Sequence, residues 1–349
     1  MKGGIFMKNL SLFAYTFSHF GVDAVCFWIL FGRFYEGRPE QELALGFIVY
    51  NFLAFGLQMV IGAYCDENRD FPPAPIGCAL VFAAVPVSFL SPWAALLVCA
   101  LGNAFFHIGG GTESLINSGG KLSRSGVFVS SGALGVAVGT LWGTKNVGSP
   151  LLPAILMAVC FSLCLAAQKH RGEKAETEFS GVASAKAGAG VIIVLALVSV
   201  VIRSFGGTLI PTEWKTAAEL GLVSAFAAFS GKFLGGFAAD IFGAKNVGVI
   251  SLAASLPFII LGRNSMLISF IGILLFNMTM PITLCAVAEK MPKNPGIAFG
   301  LTTAALLMGV VPSFFAAING NLLLFVPAVI ISAVCIFFSA ENKKSVSEV

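Results

Sequence analysis

A small number of ionisable side chains lie within long apolar stretches of this sequence. His19 and Asp23 are four residues apart in the first such stretch, so an α-helix would place them on the same face. A carboxylate next to an imidazole favours the protonated imidazole. The pair therefore has the chemistry to take up and release a proton.

Two basic residues lie within apolar stretches of the second half of the chain. A charge inside hydrocarbon is costly, so it usually faces a partner or a water-filled cavity. Arg203 and Lys232 would offer positive charge to a solute. Asp23 and Arg203 lie at similar depths in their stretches, so we expect an ion pair between them.

Five further polar residues complete the candidate substrate and proton pathway. They are Gln58, Asn103, His107, Glu113 and Asn277. Gln58 and Lys232 occupy equivalent positions when the second half of the chain is aligned with the first, and we expect both to face the same cavity.

Each of these groups also has a purely structural interpretation. Asn103 and Asn277 would serve as hydrogen-bonding groups between packed helices. His107 would donate to a backbone carbonyl, and Glu113 would reach the membrane surface. Lys232 would bridge the end of its helix to an acid in a loop. The sequence leaves these alternatives open.

No arrangement in the sequence points to catalysis or to metal binding. The eight cysteines are scattered, without a C-x-x-C pair or a histidine at metal spacing. His107 and Glu113 are six residues apart, so they lie on different faces of a helix. We therefore predict no catalytic residue, no metal site and no cofactor. A membrane-embedded enzyme and a channel are the alternatives, although no filter-like repeat or ring of charges is visible.

The elements that must carry these residues are membrane spans. Hydrophobic residues make up 57% of the chain and charged residues only 11%, whereas soluble domains carry about 25% charged residues. About 20 apolar residues cross the hydrocarbon core as a helix. Apolar segments predict twelve spans, at about residues 9–31, 43–64, 75–91, 93–116, 126–144, 150–168, 189–211, 217–238, 246–262, 265–289, 297–318 and 321–339.

A polar segment divides these helices into two groups of six. Residues 169–188 are charged and rich in Ser, Ala and Gly, which is typical of a linker. We therefore expect an N-terminal bundle over 1–168 and a C-terminal bundle over 189–349. Lys and Arg are concentrated in the connections on the side of this linker. This predicts a multi-pass protein of the plasma membrane (the cell inner membrane), with both termini cytoplasmic.

The second half of the chain repeats features of the first at one constant offset, close to half the chain length. The matching pairs are Gly62 with Gly236, Asp66 with Asp240, Asn103 with Asn277 and Gly126 with Gly300. Glycines within the helices and one loop aspartate therefore occupy matching positions in the two halves, and the alignment needs no gaps. We therefore predict an all-α membrane protein with twelve transmembrane helices in two pseudo-symmetric six-helix bundles.

The strongest local motif runs from Gly236 to Lys245 (GFAADIFGAK). It resembles the loop motif of the major facilitator superfamily, roughly G-x-x-x-D-x-x-G-x-K/R. The resemblance implies a gate at the cytoplasmic surface. Gly236 would permit close helix contact, and Asp240 would lie near a neighbouring helix N-terminus, where a carboxylate is stabilised. Gly243 would form the tight turn, and Lys245 would hold the inner surface.

The first half carries a degraded copy of this motif. Gly62 and Asp66 remain, but the segment 67–70 (ENRD) replaces the glycine turn and the basic residues. We therefore expect a weaker gate contact from this half.

A second resemblance lies in the fourth predicted helix. The stretch from Asn103 to Ser114 (NAFFHIGGGTES) resembles superfamily members of the fosmidomycin-resistance type, which implies efflux.

The fifth helix lacks the proline of the glycine-rich antiporter motif, so drug–proton antiport is not supported. The superfamily resemblance also implies that helices 1, 4, 7 and 10 surround a cavity. Those helices carry Asp23, His107, Arg203 and Asn277.

These observations favour a secondary transporter that works by alternating access. We expect a small anionic, zwitterionic or drug-like solute as the substrate, with protons as a candidate coupling ion. The expected surroundings are the lipid bilayer, and we expect a monomer. The net charge of +4 is modest, and no basic stripe indicates a nucleic-acid partner.

Overall fold

The computed structural model describes residues 2–145, 149–169, 176–316 and 318–342, with side chains from residue 9 onward. Part of the predicted linker, residues 170–175, lies outside these ranges. Within them the chain is helical, and its one extended pairing is an isolated antiparallel bridge between Ala183 and Ala340.

The helices are labelled α1 to α12 in chain order. Their bounds are α1 Lys2–Ile29, α2 Glu40–Glu67, α3 Pro73–Val87, α4 Pro92–Ile116, α5 Leu122–Thr144, α6 Leu151–Lys169, α7 Ala189–Thr208, α8 Gly221–Phe242, α9 Ala244–Leu261, α10 Met266–Lys290, α11 Pro295–Val310 and α12 Leu322–Ser339. A π-helical turn at Phe52–Gly56 interrupts α2, and α10 is broken between Asn277 and Met280.

Eleven helices in the described part of the chain are long and apolar enough to cross a membrane. Their exposed surfaces carry many large hydrophobic side chains, which lipid would cover. The chain is therefore an all-α, multi-pass membrane protein, as the sequence predicted.

Helix α3 differs from the predicted third span. It covers fifteen residues and is too short for the length that a span needs. It ends early because a new helix begins at Pro92: the Ser91 hydroxyl accepts a hydrogen bond from the Ala94 N–H at 3.3 Å, and proline is favoured at a first helical position. The twelfth span stays a prediction.

The helices pack mainly with neighbours from the same half of the chain. Helix α1 packs on α4, α5 and α6, whereas α7 packs on α10, α11 and α12. The most extensive contacts between the halves are α5 with α8 and α2 with α11.

A glycine allows the close approach of α5 and α8. A Cβ atom at Gly236 would lie 2.7 Å from the Leu122 carbonyl oxygen and 2.8 Å from Ser123 Cα. Both are backbone atoms, so a larger residue could be accepted only by moving a helix. Small residues at such crossings are typical of packed membrane helices.

The described part of the linker is packed against the protein rather than free. The Glu289 carboxylate on α10 accepts backbone N–H groups of Val182 at 2.8 Å and Ala183 at 3.2 Å. Both residues are buried. The Ser184 N–H donates to the Ser339 carbonyl at 2.8 Å. The segment therefore lies along the ends of α10 and α12, which its polar composition did not indicate.

Candidate functional site

A buried polar cluster lies between α1 and α4. Asp23 Oδ1 accepts a hydrogen bond from Asn103 Nδ2 at 2.9 Å. Asp23 Oδ2 lies 3.4 Å from His19 Nε2, and Oδ1 lies 3.7 Å from His107 Nε2. The two imidazole rings meet edge to face, with centroids 4.6 Å apart. The structure thus joins the predicted His19–Asp23 pair with two candidates from another helix.

Backbone carbonyls hold both imidazole rings in place. His19 Nδ1 lies 2.8 Å from the Phe128 carbonyl oxygen on α5, and the Phe128 ring stacks on the imidazole at a centroid distance of 4.7 Å. His107 Nδ1 lies 2.9 Å from the Asn103 carbonyl oxygen. A carbonyl oxygen only accepts hydrogen bonds, so Nδ1 carries the proton in both rings. The backbone carbonyl that the sequence suggested as a partner of His107 is therefore present. The other ring nitrogen of His107, Nε2, lies beside Asp23.

The other main feature is a cavity of about 330 Å³ among α7, α8, α10 and α11. Its wall carries three cationic side chains, from Arg203, Lys215 and Lys232. Neutral polar groups add hydrogen-bonding capacity; they come from Ser204, Thr212, Ser224 and Asn277. No acidic residue is among the described residues that line this cavity. The arrangement is suited to a small anion.

The cations of this cavity lack counter-charges within the described ranges. Arg203 is buried, its Nη2 lies 2.9 Å from the Met280 sulfur, and its Nε has no hydrogen-bond partner. Lys232 forms no ion pair there, although it lies within electrostatic range of Asp23 and Arg203. A buried cation without a counter-charge is unfavourable, so a negatively charged ligand would stabilise this site.

The expected ion pair between Asp23 and Arg203 is absent. Asp23 is held by groups of α1 and α4, and Arg203 faces the cavity. The two helices belong to different packing groups, because α1 packs on α4, α5 and α6 while α7 packs on α10, α11 and α12. Similar depth along the membrane normal therefore does not bring these side chains together.

Two other candidates lie away from both features. Gln58 was expected to face the cavity but is fully buried, with its Nε2 donating to the Ala54 carbonyl at 2.7 Å. Glu113 is also buried, three residues before the end of α4. Its Oε1 lies 3.3 Å from Arg69 Nη2, and its Oε2 accepts from Asn117 Nδ2 at 3.1 Å. Glu113 thus ties the α2–α3 connection to α4.

The candidate gate residue Asp240 caps a helix from the other half of the chain. Its Oδ1 accepts the Leu122 N–H at 2.8 Å, and its Oδ2 accepts the Ser123 N–H at 3.0 Å. These are the first residues of α5, where free N–H groups and the helix dipole favour a carboxylate. The resemblance implied that Asp240 lies near a neighbouring helix N-terminus. In the structure this is the N-terminus of α5.

Asp66 makes the same contact in the other direction. Its Oδ1 accepts the Gly296 N–H at 2.8 Å, and its Oδ2 accepts the Ile297 N–H at 2.9 Å, at the start of α11. The distances match those of Asp240. The altered residues after Asp66 therefore do not prevent the capping contact, because the capping needs only the aspartate and a close helix, and Gly62 supplies the latter through its approach to Gly296. A weaker gate in this half stays a prediction.

The rest of the motif has local roles. Gly243 has φ of 89°, a left-handed conformation that glycine adopts at little cost, and it turns the chain from α8 into α9. Lys245 extends over the Phe337 ring, 3.6 Å from its centroid, as a cation–π contact. Both residues lie at the end of the molecule that carries Asp66 and Asp240.

The anion-suited cavity extends toward the opposite end of the molecule. It runs from Asn277 and Lys232, in the middle of their helices, to Thr212 and Lys215 in the connection between α7 and α8. At that end Lys145 Nζ and Glu219 Oε1 are 2.6 Å apart and join α5 to the start of α8. Sequence reasoning missed Lys215 at the cavity mouth, since it lies in a connection.

Comparisons with solved structures identify the fold. One crystal structure of the major facilitator superfamily transporter FucP, in the outward conformation, gives a TM-score of 0.62 at 13% identity, and it covers 95% of this chain and 97% of that chain. A structure of a variant of the E. coli fucose:proton symporter FucP gives 0.64 at 13% identity with the same coverage. No protein-family model and no curated sequence matches the chain. The chain therefore has the fold of major facilitator superfamily transporters, which confirms the fold that the resemblance implied.

Proposed function

We propose that this protein is a secondary transporter that moves a small anionic solute across the plasma membrane by alternating access. The observation that carries the choice of solute is the cavity with three cationic side chains and no acid among its described lining residues. Cavities of about 300–1,000 Å³ are typical of small-molecule sites. A volume of about 330 Å³ suits a solute at the small end of that range.

The transport class is supported by the fold and by the position of the cavity. Solved proteins with this fold include a fucose:proton symporter, and the likeness extends over 95% of this chain. The cavity reaches the middle of the helices α8 and α10, at Lys232 and Asn277. Sites near the bilayer midplane are typical of secondary transporters, whose halves move against each other around them.

Alternating access needs contacts between the halves that form in one state and break in another. The caps of Asp66 on α11 and of Asp240 on α5 have this character, because both join different halves at one end of the molecule. With these caps formed, that end is held closed, while the cavity extends toward the other end. We assign the Asp66/Asp240 end to the cytoplasm, following the distribution of Lys and Arg, so these caps would close the inner side of the carrier.

Several finer features belong to this proposal. They are twelve spans with α3 as the third, two six-helix bundles joined by the 169–188 linker, cytoplasmic termini and a monomeric carrier. The constant offset between the halves supports their equivalence, since it relates Asp66 to Asp240 and also relates the N–H groups that these two carboxylates bind. Coupling to protons remains a prediction from the sequence.

Counterflow in liposomes tests the proposed function. Purified protein is reconstituted into vesicles loaded with one of a panel of small carboxylates, phosphonates or phosphate esters, and uptake of the same labelled solute is followed. We expect accumulation that depends on the trans solute for at least one anion, and none for neutral or cationic solutes of similar size. Flux without dependence on trans solute would indicate a channel, and conversion of the solute would indicate an enzyme. Exchange confined to neutral solutes would overturn the choice of an anion.

A further inference from the structure

The polar cluster between α1 and α4 presents four electron-pair donors to one another. Nδ1 of His19 and of His107 donates to a backbone carbonyl, so in the neutral imidazole Nε2 of each ring carries a lone pair. Both lone pairs point at the two oxygens of the Asp23 carboxylate. The ligand-type atoms of these three residues all lie within 4.8 Å of one another. Such a set is repulsive unless a proton or a metal ion lies between its members.

Among the described residues no lysine or arginine contacts this set directly, although Lys232 lies within electrostatic range of Asp23. In the described part of the chain, Asp23 forms no ion pair with a lysine or an arginine, and its one amide donor is Asn103. The two histidines also lie farther from the carboxylate than direct hydrogen-bond partners would. Charge-assisted N–H···O bonds measure about 2.7–2.9 Å, whereas the separations here are 3.4 and 3.7 Å.

The separations of Asp23 from His19 and from His107 fit ligands that share a metal ion. In a tetrahedral zinc site, bonds of about 2.0–2.2 Å to nitrogen and oxygen place neighbouring ligand atoms about 3.4 Å apart. We propose that His19, Asp23 and His107 form a binding site for a divalent transition-metal ion of the zinc class. Two imidazole nitrogens and a carboxylate are ligands of the type that Zn²⁺, Fe²⁺ and Co²⁺ accept, and they differ from the all-oxygen sets of Ca²⁺ and Mg²⁺.

The groups around the cluster match those around known metal ligands. Ligating histidines almost always donate their second ring N–H to a carbonyl, carboxylate or water, and ligating carboxylates are themselves hydrogen-bonded. His19 and His107 each donate to a carbonyl, and Asn103 donates to Asp23. The Asn103 Oδ1 atom is buried without a hydrogen-bond partner, so an additional oxygen donor lies beside the cluster.

A glycine on α5 allows the cluster to pack directly against that helix. A Cβ atom at Gly132 on α5 would collide with His19 Nε2 and lie 2.6 Å from Asp23 Oδ2, the side of the cluster where those two ligand atoms face each other. His19, Asp23 and His107 each keep 6% of their surface exposed, so the cluster is nearly enclosed without being sealed. The sequence predicted no metal site, because the ligands come from two helices and their spacing is set by packing.

Metal titration of the purified protein tests the site without any transport assay, so its result does not depend on the proposed solute. The protein carries an affinity tag without histidines, is stripped with a chelator and is then titrated with Zn²⁺ by calorimetry and with Co²⁺ by visible absorption. We expect one ion per chain and a higher melting temperature with Zn²⁺, since a ligand bound to the folded state stabilises it. Absence of Zn²⁺ binding to folded wild-type protein would overturn the proposal and leave the cluster to protons.

Variants locate the ion. His19→Gln and His107→Gln should each lower Zn²⁺ affinity by more than about tenfold, a loss that removal of a supporting residue alone can cause. His170→Gln changes the remaining histidine of the chain and should bind as the wild type does. Gly132→Ala should also weaken binding, although it removes no ligand. Melting curves in chelator show whether each variant is folded, and unchanged affinity in folded His19→Gln and His107→Gln would contradict the assignment.

Discussion

Asp66 and Asp240 bind equivalent helix N-termini in opposite halves of the chain. Each carboxylate accepts two consecutive backbone N–H groups at distances between 2.8 and 3.0 Å, Asp66 at the start of α11 and Asp240 at the start of α5. The two contacts are reciprocal, since each half supplies one aspartate and one helix end. Together they form a two-point closure at one end of the molecule.

Weakening this closure should slow transport more than it changes solute affinity. In Asp66→Asn or Asp240→Asn, the amide keeps one acceptor oxygen but loses the charge and the second N–H contact, so the closed state loses stability while the cavity is unchanged. In counterflow we expect lower turnover, with apparent affinity within a few-fold of wild type. Asp70→Asn, an exposed acid just after α2, is the control and should leave both values unchanged. A large loss of affinity with normal turnover would exclude the gate role.

The cations of the cavity should determine the affinity for an anion. A hydrogen bond to a charged group contributes about 1.5–3 kcal/mol, and about 1.4 kcal/mol corresponds to a tenfold change. Arg203→Gln and Lys232→Gln should therefore each raise the half-saturating concentration by about tenfold to a hundredfold, and Arg203→Lys by less. Arg263→Gln is the control, because Arg263 is paired with Glu213 at 2.7 Å and is half exposed. Equal affinities across this set would mean that the solute binds elsewhere.

Sequence patterns predicted where residues lie along the helices well, but they predicted poorly which side of a helix each residue faces. Long apolar runs placed most spans, and the constant offset between the halves identified Asp66 and Asp240 as equivalents. The i,i+4 spacing likewise identified His19 with Asp23. Depth alone could not show that Arg203 turns toward the cavity, since lipid-facing and core-facing sides of a membrane helix are both apolar. Pairing across helices, as between His107 and Asp23, depends on packing that spacing does not encode.

The crossing of α5 and α8 should tolerate no side chain at Gly236. A methyl group there would meet backbone atoms of Leu122 and Ser123, which move only with the helix. We expect Gly236→Ala to lower the melting temperature in detergent. Gly190→Ala on α7 is the control, because a Cβ there meets nothing within 4 Å, and alanine is the better helix former by about 0.5–1 kcal/mol. Equal melting temperatures for both variants would show that the helices separate easily at Gly236.

The buried acid Glu113 should contribute to stability rather than to solute binding. Only 4% of its side chain is exposed, and it pairs with Arg69 at 3.3 Å. Removing one partner of a buried hydrogen-bonded pair costs about 1–3 kcal/mol, so Glu113→Gln should lower the melting temperature with little change in solute affinity. Glu36→Gln provides a matched control, because the Glu36 side chain is 63% exposed and its pair with Arg33 should contribute little. An affinity loss in Glu113→Gln without a stability loss would place Glu113 in the solute pathway after all.

Asp23 should be energetically coupled to Asn103 and independent of Arg203. Asp23 accepts a hydrogen bond from Asn103 at 2.9 Å, whereas Arg203 lies on a helix of the other packing group and faces the cavity. Double-mutant cycles on melting stability in chelator separate the two cases. The effects of Asp23→Asn and Arg203→Gln should add within about 0.5 kcal/mol, the range for residues that do not contact each other. The cycle of Asp23→Ala with Asn103→Ala should deviate by more than that, because either change alone already removes the shared bond. A non-additive Asp23–Arg203 cycle would show that the two charges meet in another conformation of the carrier.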